Sequence, residues 1–233
     1  YLEILPFQQR YPWIGGDLQT LRDTFRSENL PVENAQQIKI PVPPLPSNKA
    51  GSGYLLGLLD RPKDSKFIRG LVLILHGLGG SSRRQGLRRM ATSLLEQGFA
   101  VLRLNLRGAD PCRKLVGGTY SANCNSDLKP VLEFARGLCE QLGNESSPTQ
   151  APLQLFGVGI SLGGTILLNA CLDENLFLSE RKPLLDGLAC ASSPLDLEAC
   201  SKSIELPRNS FYQYWLLKRL IRQTLADPFD LTP

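Results

Sequence analysis

Gly159-Ile160-Ser161-Leu162-Gly163 has the residue types and spacing of a nucleophile on a tight turn. A short apolar run ends just before it and a helical pattern starts just after it. A serine at such a strand-to-helix turn has its hydroxyl pushed out at the carboxyl end of a sheet, while the flanking glycines let backbone and helix come close. The chemistry would be attack on an acyl carbonyl. Two phosphate-binding alternatives fail on spacing. A dinucleotide fingerprint starting at Gly157 needs glycine where Leu162 stands, and a Walker loop from Gly159 to Gly164 needs lysine where Thr165 stands. Glycines that only let a helix pack on a sheet are the plain structural alternative.

His76-Gly77-Leu78-Gly79-Gly80 follows a second apolar run, Leu71 to Leu75. Acyl transfer develops an oxyanion, and each preorganised N–H donor stabilises it by roughly 3 kcal/mol. The N–H groups of Leu78 and Leu162 are the expected donors, with Gly77 and Gly79 on the substrate side. His76 reads as a hydrogen-bonded structural residue, because it stands beside that loop and not across the serine from it. A triad in this order of elements needs an acid and then a histidine after the serine, yet His76 is the only histidine. Asp196 reads as a turn and helix start, not as the acid. The triad acid and histidine are therefore expected outside this chain.

The elements that must hold these groups alternate. Tyr54–Leu59, Leu71–Leu75, Ala100–Leu106, Leu153–Val158 and Gly187–Ser192 read as strands. Leu87, Met90, Ala91, Leu94 and Leu95 share one helical face, with Ser81 or Ser82 as cap. Further helices are expected over 126–142 and 163–172. The fold class is α/β: a mainly parallel sheet with helices on both faces, incomplete at its C-terminal side. Residues 1–50 read as a leader and proline-rich linker packed on the core, 51–200 as the core, and 201–233 as the start of a helical cap. Phe211–Leu225 is a helix with apolar residues nearly all round; Tyr214 and Trp215 are the candidates to line an acyl pocket. An ordinary core helix, or a basic helix lying on a membrane surface, stays open. Arg83, Arg84, Arg88 and Arg89 read as a solvated face.

The 233 residues carry 26 Lys+Arg against 22 Asp+Glu with 42% hydrophobic residues, the composition of a globular domain. No dense basic block points to nucleic acid, and no long apolar run points to a transmembrane span. The six cysteines lack C-x-x-C spacing, so neither metal nor cofactor is expected; Cys139, Cys171 and Cys190 read as buried free thiols of a cytoplasmic protein. The chain opens on Tyr1 and its single methionine is Met90, so it reads as a piece of a longer protein.

The ends of the His76, Asn105-Leu106-Arg107-Gly108 and Ser161 segments resemble the α/β-hydrolase superfamily. Tyr11-Pro12-Trp13, Asp17-Leu18-Gln19-Thr20-Leu21 and the Tyr120–Leu128 segment resemble its YheT-like group, AB hydrolase family 4, over nearly the whole chain. Asp17 stands where that leader usually has histidine. The resemblance implies a serine carboxylesterase or lipase-like enzyme acting on a small ester or lipid-like substrate, with Ser161 as nucleophile and peripheral membrane contact possible. A non-catalytic binding protein that keeps the pocket without a triad is the rival.

Overall fold

The computed structural model describes residues 6–25, 29–45, 51–63, 67–146, 152–173 and 185–229. Two compact units are present, Tyr1–Glu33 and Asn34–Pro233. The first contains helix α1 (Gly16–Phe25), which has Asp17 in its first turn, where a carboxylate suits the positive end of the helix dipole. The Gln19 side chain donates to the Trp13 carbonyl, tying this helix to the segment before it.

The second unit is built on six strands, β1 (Gln36–Val42), β2 (Gly53–Asp60), β3 (Leu71–Leu75), β4 (Ala100–Asn105), β5 (Leu155–Ile160) and β6 (Gly187–Ala191). Their order in the sheet is β1-β2-β4-β3-β5-β6. The β1–β2 and β2–β4 pairs are antiparallel; β4, β3, β5 and β6 run parallel. The other elements are α2 (Gln85–Glu96), α3 (Asn125–Ser146), α4 (Leu162–Leu172), α5 (Leu197–Ile204) and α6 (Ser210–Leu225).

Strand β3 explains why its sequence is apolar throughout. Successive strand residues face opposite sides. Leu71, Leu73 and Leu75 pack with Val131, Ala135, Ile166 and Leu167 of α3 and α4. Val72 and Ile74 pack with Leu87 and Ala91 of α2 on the other side. With both sides covered, no position of β3 is left for a polar residue.

Four expectations need correction. Gln36–Val42, assigned to the leader and linker, is an edge strand, with Pro41 opposite Tyr54; an edge strand tolerates a residue without an N–H. Helix α2 has no serine cap, since Arg84 occupies that position and the Ser82 N–H donates to Asn105 Oδ1 at 2.9 Å. Strand β5 begins two residues later than expected: Leu71 donates to the Gln154 carbonyl at 2.9 Å, and the ladder then pairs Leu71 with Leu155. Cys139 is buried, as are Cys112 and Cys124, but Cys171 is half-buried and Cys190 and Cys200 are exposed; all six are free thiols. Among the described residues no helix is long and apolar enough to cross a membrane.

Candidate active site

The shift in β5 makes Ile160 its last residue and places Ser161 between that strand and α4. Ser161 has φ 53° and ψ −128°, a strained left-handed backbone that a side-chain-bearing residue rarely adopts. The strain is held from both ends: the Ser161 N–H donates to the Ala191 carbonyl of β6 at 2.8 Å, and the Ser161 carbonyl accepts from the Gly164 N–H at 2.9 Å. The turn also needs Gly159, because a Cβ there would lie 2.2 Å from the Gly164 Cα.

The glycine-rich loop after β3 comes against this serine. A Cβ on Gly77 would lie 2.9 Å from Ser161 Cβ and 3.4 Å from its Oγ. Within the loop the Gly80 N–H donates to the Gly77 carbonyl at 2.9 Å and the Gly79 N–H donates to the Tyr120 hydroxyl at 2.7 Å. The Leu78 N–H lies between these two and has no acceptor among the described residues; neither does the Leu162 N–H at the first position of α4. The two expected oxyanion donors thus have no acceptor among the described residues; Leu78 is on the loop whose Gly77 packs against Ser161, and Leu162 is the next residue in the chain.

His76 is fully buried and both its ring nitrogens are engaged. Nδ1 lies 2.8 Å from the Gly77 carbonyl and Nε2 accepts from the Leu106 N–H at 3.2 Å. That pairing sets the tautomer, with the proton on Nδ1. Burial pushes its pKa down to about 4, the Gly77 hydrogen bond opposing and the Arg84 charge adding to the shift. The imidazole packs edge-on against Tyr120 at 5.6 Å. His76 is thus a neutral brace of the loop. Asp196 is the N-cap of α5, its side chain accepting from the Ala199 N–H at 2.8 Å. The Ser161 hydroxyl has no imidazole or carboxylate partner among the described residues.

Two residues from segments quoted above only for their resemblance act as supports. Tyr120 holds the loop through Gly79, and its burial raises its pKa, keeping the hydroxyl protonated. Arg107, at the end of β4, forms a buried bidentate pair with Asp127 of α3 at 2.5 and 2.8 Å and donates to the Gly117 and Pro43 carbonyls. The strand-end position of Arg107 was the available signal; its partners lie too far along the chain to be read.

Tyr214 and Trp215 are 65% and 52% exposed. Trp215 lines an open groove of about 680 Å³, whereas Tyr214 lies outside it. Arg84 lines that groove too, so of the expected solvated face only Arg83 is exposed. Among the described residues no cluster of three or more His, Cys, Asp or Glu could hold a metal.

No family model matches the chain. It is 30% identical over 151 residues to a bovine protein, phospholipase ABHD3, the match covering 64% of this chain and 31% of that protein. It is 30% identical over 128 residues to a Saccharomyces cerevisiae protein, medium-chain fatty acid ethyl ester synthase/esterase 2, covering 54% and 25%. The chain thus spans about a third or less of these curated relatives. A solved monoglyceride lipase from Saccharomyces cerevisiae superposes with TM-score 0.50 at 21% identity, over 74% of this chain and 48% of that one. A parallel sheet core, a strained serine at the β5–α4 turn and the likeness to this lipase identify the α/β-hydrolase fold.

Proposed function

We propose that the chain belongs to a carboxylic ester hydrolase of the YheT-like kind. The observation that carries this is Ser161, held at a positive φ against the Gly77 loop, with the Leu78 and Leu162 N–H groups lacking acceptors among the described residues. Ser161 Oγ bonds to the ester carbonyl carbon, and its proton passes to a base that the described residues do not supply. The oxyanion is held by the Leu78 and Leu162 N–H groups. When the tetrahedral intermediate collapses, the alcohol leaves with that proton. Water then attacks the acyl-enzyme and releases the acid. The curated relatives named as a phospholipase and an esterase support an ester or lipid-like substrate.

The test is hydrolysis of short p-nitrophenyl esters by the full-length protein. Turnover that disappears in Ser161→Ala is the expected result; unchanged turnover rejects the nucleophile. A non-catalytic binding protein is the second reading, favoured by the lack, among the described residues, of a base against Ser161. It requires that the full-length protein hydrolyse no ester while still binding one.

A further inference from the structure

The groove beside the oxyanion loop has an unusual lining. Gly80, Ser81 and Arg84 form one wall, and Trp215, Lys218, Arg219, Arg222, Gln223 and Ala226 of α6 and the turn after it form another, with Asp110 at the edge. Four cations thus face a single carboxylate. On α6 the spacing of 215, 218, 219, 222, 223 and 226 defines one stripe of the helix. Phe211 continues this stripe one turn before Trp215, and Tyr214, Leu217, Ile221 and Leu225 lie to one side of it, all exposed. Of this stripe Arg219 and Gln223 are half-buried, as are Leu216 and Leu220 beside them, while Trp215, Lys218 and Arg222 are exposed; Arg219 is the cation set against the loop.

These cations are not held there by internal ion pairs. Among the described residues none of Arg84, Lys218, Arg219 and Arg222 pairs with a carboxylate. Asp227, the carboxylate next to the stripe, is already committed to Arg113 at 2.9 Å, both side chains 4% exposed. Arg219 lies over the Trp215 ring at 5.3 Å, which fixes the guanidinium against the aromatic face. Partial burial holds the Arg84 pKa below the usual guanidinium value. Four like charges lining one groove give it a positive potential that favours an anion there.

The groove adjoins the glycine-rich loop that packs against Ser161. Arg219 Cδ lies 3.1 Å from where a Cβ would stand on Gly79, and Gly77 of the same loop touches Ser161. We propose that this groove is a subsite for an anionic group of the ester substrate, a phosphate or carboxylate one turn of the loop away from the carbonyl under attack. The proposal rests on the Ser161 reading. It adds a substrate class: esters that carry negative charge beside the scissile bond.

The test compares monomeric esters of matched length, one neutral and one ending in a carboxylate or phosphate, with the charge placed in the acyl half in one pair and in the alcohol half in the other. The full-length protein and its Lys218→Gln and Arg222→Glu variants are measured; both residues are exposed, so folding is not at issue. The expected result is a preference for the charged ester in at least one pair. The ratio of kcat/KM for charged over neutral ester then falls about ten-fold per variant, the scale of one lost charge-assisted hydrogen bond. An unchanged ratio in both pairs overturns the subsite and leaves the Ser161 nucleophile standing.

A second arm presents the neutral ester in vesicles of anionic or neutral lipid. A rate gain confined to anionic vesicles, with no preference among monomeric esters, overturns the subsite in favour of α6 docking on a lipid surface. If no ester is hydrolysed at all, the Ser161 reading falls, and the groove is judged by calorimetry with glycerol phosphate. Binding that Arg222→Glu removes supports the anion site; absence of binding in the unaltered protein rejects it.

Discussion

The Leu106 N–H donates to His76 Nε2 at 3.2 Å, so the backbone at the end of β4 holds the imidazole at the end of β3 in its neutral form. Protonation would break this bond and place a charge in a fully buried site. The folded-state pKa is lowered from 6.5 to about 4, so between these pH values the unfolded chain binds the extra proton. Stability contributed by His76 is therefore complete above pH 6.5 and is lost as pH falls toward 4, at up to about 1.4 kcal/mol per pH unit. Urea midpoints at pH 7 and pH 5 check this: the drop should be larger in the wild-type protein than in His76→Asn.

The same hydrogen bonds remove His76 as a base. Serine reacts rapidly with a fluorophosphonate only when a neighbour takes its proton. The 233-residue chain expressed alone should label at Ser161 slowly, and His76→Asn should label at the same rate. A further fall in the variant would show that His76 does accept the proton.

Gly77→Val places a branched side chain where a single Cβ already comes within 2.9 Å of Ser161 Cβ. The loop must shift, carrying the Leu78 N–H with it. An oxyanion donor acts in the transition state, so kcat should fall by about 10²–10³-fold with a smaller change in KM. Steady-state kinetics on p-nitrophenyl butyrate decide; a change in KM alone counts against the donor role.

Arg107→Leu leaves the Asp127 carboxylate, 2% exposed, without its partner. Removing one member of a buried pair costs about 3–5 kcal/mol, which a urea melt would report. Arg107→Leu combined with Asp127→Leu should recover part of that loss, because no unpaired charge stays in the core.

Ser161, the loop at Gly77 and the parallel strands were legible because each depends on local pattern: an apolar run, a turn residue, a helical face. The edge strand β1 was missed although Ile38, Ile40 and Val42 alternate with Lys39 and Pro41 as a half-buried strand does; the prolines at 41, 43, 44 and 46 drew the segment to a linker reading. Tyr120 was missed as a support because its acceptor role is set by Gly79, 41 residues away. The arginine stretch before α2 looked like a solvated face because the groove needs α6, far along the chain, as its other wall.

The Arg113–Asp227 pair has a consequence for how the protein is made. Its partners are 114 residues apart. A ribosome adds about 5–20 residues per second, so Arg113 waits roughly 6–23 s for its carboxylate. A guanidinium is not buried without a partner, so through that interval the loop carrying Arg113 stays hydrated while β3 and β4 are already available to pair. The nascent chain acquires its sheet first and clamps α6 last.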